Sequence, residues 1–266
     1  MGSSSPATSP QTALITGASV GIGFELAKLF AADKFDLVLV ARDAAKLNAM
    51  APDLKSLGAG RVVVLPKDLS LGDSCKQIAD ELASAKIDVD ILVNNAGFGD
   101  NGLFWQTDEK RQLDMIEVNV SALTHLTRLF LPGMIQRRRG RIMNVASVAG
   151  YVSGPLMAVY FATKAYVISF SIAINEECRG FGVTVTAVCP GATRTEFHTR
   201  AHIETPGLFA GHLMSAEKVA RIGYQGTLRG KPLVVTGLMN RLTTIVVPWF
   251  PRTFVARIAG ARNRRR

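Results

Sequence analysis

A tyrosine and a lysine four residues apart form the pair in this chain with the clearest potential for proton transfer. Tyr160 and Lys164 lie in a stretch of helical length, Leu156–Gly180, and a spacing of four places both side chains on one helix face. A free phenol ionises at about pH 10, and a neighbouring ammonium lowers that pKa. The pair could therefore act as a general acid or base, although a solvated surface pair stays an alternative.

A serine precedes this pair at the end of an apolar run. Asn144-Val145-Ala146-Ser147 closes the run thirteen residues before Tyr160. Parallel sheets bind ligands at the carboxyl ends of their strands. Ser147 could therefore donate a hydrogen bond to a carbonyl oxygen that Tyr160 also reaches. The alternative is a small residue that merely ends a strand.

Three glycines with the spacing G-x-x-x-G-x-G follow the first apolar run, at Gly17, Gly21 and Gly23. A tight turn, and the close approach of backbone N–H groups to a pyrophosphate, require residues without a Cβ. The N-terminus of the helix that follows favours phosphate. This strand–turn–helix arrangement predicts a dinucleotide-binding loop, and a plain glycine-rich turn is the alternative.

The second apolar run ends in Val40-Ala41-Arg42-Asp43. NAD usually requires an acidic residue at this strand end, where it binds the ribose 2′-hydroxyl. Arg42 instead suits a 2′-phosphate, which its guanidinium can bind with two charge-assisted hydrogen bonds. The sequence favours NADP over NAD. Arg42 could also cap a surface turn, with Asp43 as the N-cap of the next helix, and the two interpretations are compatible.

Short apolar runs alternate with segments of helical length along most of the chain. The apolar runs are Ala13–Thr16, Leu37–Ala41, Arg61–Leu65, Ile91–Asn94, Arg141–Ala146, Val183–Val188 and Leu233–Thr236, and the helical segments include Gly21–Ala32, Gly72–Ala85, Asp114–Arg138 and Leu156–Gly180. Runs without polar alternation are typical of strands buried on both faces. The pattern predicts an α/β, Rossmann-type, doubly wound parallel sheet of about seven strands, with helices on both faces.

Composition excludes several classes of protein. The chain has 266 residues, of which 48% are hydrophobic and 20% charged, and it contains three cysteines. This hydrophobicity excludes a disordered chain. The cysteines are too few and too scattered for a disulfide framework or a zinc site, so we expect no metal and a reducing, cytoplasmic compartment. We identify neither a secretory signal in the first ten residues nor an apolar run of 18 residues.

The net charge of +10 comes from the C-terminal part of the chain. Arg221–Arg266 contains ten Lys or Arg residues and no Asp or Glu, whereas the remainder has 21 basic and 21 acidic residues. This distribution argues against a nucleic-acid groove across the whole protein. The tail, residues 238–266, could dock on the main body, contact a second subunit or reach a membrane surface through residues 242–266.

Three segments are predicted: a flexible leader (1–11), an NADP(H)-binding catalytic domain (12–237) and a basic amphipathic C-terminal extension (238–266). Within the domain, Ala192 to Met214 is predicted to form a lid over the substrate. Its apolar side chains, Ile203, Pro206, Leu208, Phe209 and Leu213, favour an apolar substrate, and its histidines, His198, His202 and His212, lack a metal-ligand pattern.

Motifs in a fixed order give the chain a resemblance to the short-chain dehydrogenase/reductase family over residues 12–236. They are Thr16–Gly23 (TGASVGIG), Asp68-Leu69, Asn94-Asn95-Ala96-Gly97, Asn119, Ser147, Tyr160 with Lys164, and Pro190-Gly191 with Thr195. Two positions depart from the family's usual pattern. Val20 stands where members that prefer NADP often have a basic residue, and Thr193 stands where many members have Val or Ile.

The resemblance implies a role for each catalytic residue. Tyr160 would give a proton to the substrate oxygen during reduction, or take one during oxidation. Lys164 would lower the pKa of Tyr160 and hold the nicotinamide ribose. Ser147 would orient the carbonyl, and Asn119 would hold a water that links Lys164 to solvent.

The resemblance also implies cofactor contacts. Asp68 would contact the adenine, Asn95 the adenosine ribose region, and Thr195 the nicotinamide or the phosphates. The full set is Gly17, Ser19, Gly21, Ile22, Gly23, Arg42, Asp68, Leu69, Asn95, Ala96, Gly97, Tyr160, Lys164, Pro190, Gly191, Thr193 and Thr195.

The implied function is an NADP(H)-dependent oxidoreductase that interconverts a carbonyl and an alcohol on an apolar small molecule. The cofactor would carry the hydride while the protein orients and polarises the substrate. An NADP(H)-binding sensor or scaffold without turnover is the alternative. The family also leads us to expect a homo-oligomer, a dimer or tetramer, while the charge distribution leads us to expect no nucleic-acid partner.

Overall fold

The computed structural model describes residues 10–197 and 213–263. Seven parallel strands form one sheet in the order β3-β2-β1-β4-β5-β6-β9, and two short strands, β7 and β8, pair separately. The strands are β1 (Thr12–Thr16), β2 (Asp36–Ala41), β3 (Val62–Pro66), β4 (Ile91–Asn94), β5 (Gly140–Val145), β6 (Val183–Cys189), β7 (Thr193–Arg194), β8 (Met214–Ser215) and β9 (Leu233–Val235). The predicted doubly wound parallel sheet is confirmed, and every predicted strand lies within one residue of its observed bounds.

Helices cover both faces of this sheet. They are α1 (Gly21–Ala32), α2 (Ala44–Leu57), α3 (Ser74–Ser84), α4 (Glu109–Ile116), α5 (Leu123–Gln136), α6 (Ala158–Glu177), α7 (Ala216–Leu228), α8 (Leu238–Val246) and α9 (Arg252–Asn263). A π-helical segment, Glu117–Ala122, joins α4 to α5. The helix predicted over Asp114–Arg138 begins at Glu109 in the structure. The Asp108 carboxylate caps this start by accepting a 2.7 Å hydrogen bond from Arg111 N.

Alternate residues of the central strands pack on opposite faces of the sheet. Ala13 and Ile15 of β1 pack in a core with α1, α2 and α7, whereas Leu14 between them packs in a second core with α3 and α5. All five residues of β1 are buried. This burial on both faces explains why the strands read as continuous apolar runs instead of alternating ones.

The strand order reverses between β1 and β4, which is the position where doubly wound sheets bind ligands. Ile15 of β1 pairs with both Leu39 of β2 and Val93 of β4, so these strands end at the same level. Most of the predicted motifs therefore come together, because they follow the carboxyl ends of strands; Asn119, Tyr160 and Lys164 lie on helical segments instead.

Several predicted segments lie outside the described residues. These are most of the leader, the lid residues Ile203, Pro206, Leu208 and Phe209, the three histidines His198, His202 and His212, and the last three arginines. Within the described ranges, α6 is the one helix long and apolar enough to cross a membrane. It is a core helix here, because it carries seven buried residues and packs against β6.

Candidate active site

A cleft of about 1670 Å³ opens at the carboxyl edge of the sheet. Its volume exceeds the roughly 300–1,000 Å³ typical of a small-molecule pocket, which leaves space for a dinucleotide and a second molecule. Most of the predicted site residues line it: Gly17, Ser19, Gly21, Ile22, Arg42, Asp68, Leu69, Asn95, Ala96, Gly97, Ser147, Tyr160, Lys164, Pro190, Gly191, Thr193 and Thr195. Gly23 and Asn119 lie behind the cleft wall and support residues that form it.

The glycine loop after β1 has a conformation that side chains would prevent. Gly17 and Gly21 adopt φ values of +63° and +58°, in the left-handed region. A Cβ on Gly23 would lie 2.2 Å from Gly17 O. The loop therefore brings its backbone against the start of α1, at the helix end that attracts phosphate. This arrangement fits the diphosphate of a dinucleotide.

Asn95 holds the glycine loop in place. Its Nδ2 donates hydrogen bonds to Thr16 O at 2.9 Å and Gly17 O at 3.1 Å. The Thr16 hydroxyl in turn accepts from the backbone N–H groups of Asn95 and Ala96, both at 3.0 Å. The Asn95 amide nitrogen is thus engaged in bracing the loop, and the predicted contact with the adenosine ribose region stays a prediction.

Two cations lie at the end of the cleft formed by the loop after β2. Arg42 and Lys46 both line the cleft, and neither side chain forms an ion pair or hydrogen bond with any described residue. Asp43 caps α2 by accepting a 3.0 Å hydrogen bond from Lys46 N, as the sequence suggested. Sequence reasoning missed Lys46, although its place four residues after Arg42, in the first turn of a helix, was a readable signal.

Asp68 is held in a turn beside these cations. Its Oδ1 accepts hydrogen bonds from Ser70 N at 3.0 Å and Ser70 Oγ at 2.8 Å. Its neighbour Leu69 is buried in the core on the α3 side of the sheet. The turn keeps Asp68 at the cleft wall, where the resemblance puts an adenine contact.

Tyr160 and Lys164 lie one turn apart on α6, and both side chains are buried, with exposed fractions of 9% and 5%. Lys164 Nζ donates a 2.8 Å hydrogen bond to Val145 O at the end of β5 and lies 5.8 Å from the centroid of the Tyr160 ring. Ser147 lines the same cleft as Tyr160, where its Oγ accepts a 3.1 Å hydrogen bond from Ala149 N. The structure thus brings the three predicted catalytic side chains of β5 and α6 together in the cleft.

Burial moves the pKa values of these two groups in opposite directions. Loss of solvation raises the pKa of Tyr160 to about 12, and the neighbouring Ser147 hydroxyl offsets part of that rise. Burial lowers the pKa of Lys164 to about 8. Burial is the largest influence on the pKa of Tyr160 in this site, and the expected lowering of that pKa by Lys164 stays a prediction. Tyr160 is consequently protonated at neutral pH.

Asn119 connects the loop after β4 to α6. It lies in the π-helical segment, a feature frequent at functional sites. Its Oδ1 accepts from Phe98 N at 3.1 Å, and its Nδ2 donates to Phe98 O at 3.0 Å and to Thr163 Oγ1 at 3.1 Å. Because its side chain is engaged in this way, Asn119 positions the wall of the cleft, and its predicted water relay stays a prediction.

The loop after β6 closes the opposite side of the cleft. Pro190 O accepts a 2.9 Å hydrogen bond from Val148 N, which fixes the loop beside Ser147. Thr193 Oγ1 donates to Gly191 O at 2.9 Å. A Cβ on Gly21 would lie 3.2 Å from Thr195 Cγ2, so this loop reaches across to the glycine loop.

Apolar side chains pack with Tyr160 at the cleft: Phe98, Met157, Phe161 and Phe197. Leu103 and Trp105 also line the cleft, as do the charged residues Asp108, Lys110, Arg111, Asp114 and Glu196. The ring of Phe197 lies 5.2 Å from that of Tyr160. Sequence reasoning missed these residues because most of them lie in loops that contain no motif. Met157 and Phe161 lie three residues before and one residue after Tyr160.

Comparison with known proteins identifies the family. The family described as short chain dehydrogenase matches residues 11–205. The chain is a short-chain dehydrogenase/reductase. It is therefore an oxidoreductase, and its glycine loop and the start of α1 fit the nicotinamide dinucleotide that members of this family use.

Two curated relatives of this short-chain dehydrogenase are reductases. The ketoacyl reductase HetN of Nostoc sp. is 30% identical over 243 residues, which cover 91% of this chain and 80% of the relative. The very-long-chain 3-oxoacyl-CoA reductase of Mycosarcoma maydis is 31% identical over 248 residues, covering 89% of this chain and 69% of that protein.

Solved structures show the same fold. A short-chain dehydrogenase from Sphingobium yanoikuyae in complex with NADPH is 34% identical, with a TM-score of 0.80, and the match covers 90% of this chain and 93% of that one. The bulky-bulky ketone specific alcohol dehydrogenase from Comamonas testosteroni is 30% identical, with a TM-score of 0.77 and coverage of 91% and 94%. A Burkholderia phymatum relative in complex with NAD is 26% identical, with a TM-score of 0.80 and coverage of 89% and 92%.

Replacing Gly23 by alanine will disturb the loop that faces the cofactor. The added Cβ must displace the Gly17 carbonyl and with it the hydrogen bonds to Asn95. We expect the free energy of unfolding to fall by about 1–3 kcal/mol and the dinucleotide Kd to rise about tenfold or more, equivalent to 1.4 kcal/mol. Urea unfolding and NADPH fluorescence titration measure the two effects.

Gly72→Ala is the matched control, because a Cβ there meets no heavy atom within 4 Å. It should change stability by no more than about 0.5 kcal/mol and leave the Kd unchanged. Equal effects of the two substitutions would contradict a specific role for the close approach at Gly23.

Proposed function

We propose that this short-chain dehydrogenase reduces an apolar ketone with NADPH, with Tyr160 as the proton donor. The observation that carries the proposal is the buried, protonated Tyr160 side chain, which lies in the cleft with Ser147 and Lys164 and packs against apolar residues. The assignments of individual residues that follow are part of the proposal.

Each catalytic side chain has a task set by its contacts. Tyr160, protonated at neutral pH, donates its proton to the substrate oxygen as that oxygen gains negative charge. Ser147 donates a hydrogen bond to the same oxygen and orients it. The Lys164 ammonium stabilises the phenolate that the transfer leaves, and solvent returns the proton. The nicotinamide supplies the hydride when the cofactor is bound.

The high pKa of Tyr160 supports the reductive direction. A general acid must hold its proton until the substrate oxygen requires it. Oxidation would instead start from the phenolate, which is the minor form at neutral pH of a group whose pKa is raised to about 12. The protein without substrate is thus prepared for carbonyl reduction.

The two cations at the β2 end support NADPH. Arg42 and Lys46 face the cleft with no anionic partner among the described residues, and Ala41 stands where NAD-binding proteins place an acid. A 2′-phosphate would supply the missing anion. Relatives of known structure have been seen with NADPH and with NAD, so the preference depends on these two residues.

The wall around Tyr160 supports a bulky apolar substrate. Phe98, Met157, Phe161 and Phe197 pack in one apolar cluster with Tyr160. The names of the relatives agree, since they are ketoacyl, very-long-chain 3-oxoacyl-CoA and bulky-ketone enzymes. We propose 3-oxoacyl thioesters and bulky ketones as the substrate classes.

Removing the Tyr160 hydroxyl tests the mechanism. Tyr160→Phe should lower kcat/KM for ketone reduction by about 10²–10⁴, the usual contribution of a general acid, because no proton reaches the alkoxide. NADPH binding should change little, since the ring remains. NADPH oxidation and fluorescence titration measure the two quantities.

Tyr166→Phe is the control for this variant. Tyr166 lies on the same helix, but its half-exposed side chain hydrogen-bonds to Thr124 on the outer surface. Its activity should match that of the wild type. A Tyr160→Phe enzyme that keeps wild-type turnover would refute the mechanism. A wild-type protein that binds NADPH but turns over no ketone would favour the sensor or scaffold without turnover.

Substitution of Arg42 tests cofactor preference. Arg42→Ala removes one of two cations available to a 2′-phosphate, so the KM for NADPH should rise about tenfold to a hundredfold while the KM for NADH stays the same. The control, Lys55→Ala, removes an exposed cation from α2, the helix that follows Arg42, and should alter neither value. Parallel increases in both KM values would exclude a phosphate contact at Arg42.

The pH profile tests the role of Lys164. Its lowered pKa of about 8 means that the side chain is charged below pH 8 and neutral above it. We expect kcat/KM for reduction to fall above about pH 8, roughly tenfold per pH unit, because a neutral lysine no longer stabilises the phenolate. Lys164→Met should be far less active and should lose this alkaline limb. An unchanged limb in that variant would assign the ionisation to another group.

A further inference from the structure

Helix α8 rests on the main body through polar side chains. Asn240 Nδ2 donates a 2.7 Å hydrogen bond to Thr236 O, and the same amide packs against Gly191 so closely that a Cβ there would lie 2.1 Å away. Thr244, on the same side of the helix, is buried and donates to Arg241 O at 2.9 Å. The inward face of α8 is therefore small and polar.

The outward face of α8 is apolar. Leu238, Met239, Leu242, Ile245 and Val246 follow the spacing i, i+1, i+4, i+7 and i+8, which places them on one side of a helix. All five are exposed, Leu238 to 76% and Met239 to 74%. A surface helix normally turns its apolar face to the core, so the orientation of α8 is the reverse of the usual one.

Apolar side chains also face solvent on α9 and on the segment that precedes it. Trp249, between the helices, is 85% exposed, and Phe254 and Ile258 face solvent one turn apart on α9. The inward side of α9 is formed by small residues: Ala259 is fully buried, and Gly260 lies against Pro155. We call the nine exposed side chains the C-terminal apolar face: Leu238, Met239, Leu242, Ile245, Val246, Trp249, Phe250, Phe254 and Ile258.

Only positive charges accompany this face. Arg241, Arg252 and Arg257 are exposed on the same two helices, and the sequence contains no Asp or Glu after Glu217. A two-fold contact with a second copy would bring like charges together, because such an interface pairs a surface with itself. An anionic bilayer instead offers acyl chains to the apolar side chains and phosphates to the arginines.

We propose that helices α8 and α9 dock this protein on the surface of an anionic lipid bilayer. The helices lie in the plane of the interface, since nine residues of α8 extend about 14 Å, roughly half the hydrocarbon thickness. The C-terminal apolar face enters the acyl region, and Arg241, Arg252 and Arg257 bind headgroup phosphates.

The docked surface borders the substrate end of the cleft. Asn263, at the end of α9, lines the cleft and donates a 2.9 Å hydrogen bond to Pro155 O, next to the lining residues Leu156 and Met157. A docked enzyme would therefore take its apolar substrate from the bilayer. This consequence rests on the proposed function, whereas docking itself does not.

Sedimentation of the full-length protein with lipid vesicles tests docking without any assay of activity. The wild type should bind vesicles of phosphatidylcholine mixed with phosphatidylglycerol, should bind phosphatidylcholine alone more weakly, and should dissociate as salt increases. The double variant Leu242→Ser/Ile245→Ser should lose at least about tenfold in affinity. The matched control, Leu71→Ser/Phe181→Ser, removes exposed apolar side chains elsewhere and should bind like the wild type.

The arginines provide a second, independent measurement. Arg252→Gln/Arg257→Gln should weaken binding to the anionic vesicles by about fivefold per arginine and leave binding to phosphatidylcholine unchanged. Failure of the wild type to sediment, or equal sedimentation of the Leu242→Ser/Ile245→Ser variant and its control, would overturn the proposal. The face would instead be a subunit interface if analytical ultracentrifugation showed a dimeric wild type that binds no vesicles and a monomeric Leu242→Ser/Ile245→Ser variant.

Activity assays separate this proposal from the proposed function. Anionic vesicles should stimulate reduction of a bilayer-soluble ketone by the wild type and not by the Leu242→Ser/Ile245→Ser variant, while both enzymes reduce a water-soluble ketone equally. Vesicle binding without any ketone turnover would refute the reductase and leave docking intact. Ketone turnover without vesicle binding would refute docking and leave the reductase intact.

Discussion

The bond between a buried lysine and the end of a strand fixes the geometry of the site. Taking the Lys164 ammonium out of water is costly, and its 2.8 Å hydrogen bond to Val145 O offsets part of that cost. The bond joins α6 to the end of β5. Tyr160 lies one turn before Lys164, Ser147 follows Val145 by two residues, and both side chains line the same cleft. The proposed proton donor and the proposed carbonyl-orienting group are therefore held at one edge of the sheet.

Hydrogen bonds between loops, more than helix packing, hold the remaining walls of the cleft. Asn95 braces the glycine loop, and Asn119 joins the backbone of Phe98 to Thr163 on α6. Asn95 lies at the surface of the cleft, whereas Asn119 lies behind it. The cofactor end and the substrate end are therefore coupled to the same sheet edge, and a rigid edge of this kind keeps reacting groups aligned without reorganisation at the moment of reaction.

The C-terminal helices α8 and α9 differ from the rest of the protein in which side chains they turn toward the core. Their inward side chains are small and polar, and their apolar side chains face outward, so they add little to the hydrophobic core of the protein. Residues that neither stabilise the core nor form part of the catalytic set are explained by a contact outside the molecule. Because α9 also ends at the cleft, this surface and the catalytic chemistry occupy one side of the protein.

The sequence alone determined the sheet, the glycine loop and the order of the motifs, because strand burial and the need for residues without a Cβ are local and leave a readable pattern. It predicted strand positions to within one residue, and it indicated Tyr160, Lys164 and Ser147 before any geometry was known. Only the tertiary structure decided the pKa values, since desolvation of Tyr160 and Lys164 depends on atoms far away in the chain. It likewise decided that Asn95 and Asn119 act as braces, that Lys46 joins Arg42, and that the apolar side of α8 faces outward. Amphipathic periodicity shows that a helix has two different faces, but the direction in which each face points is fixed by what packs against it.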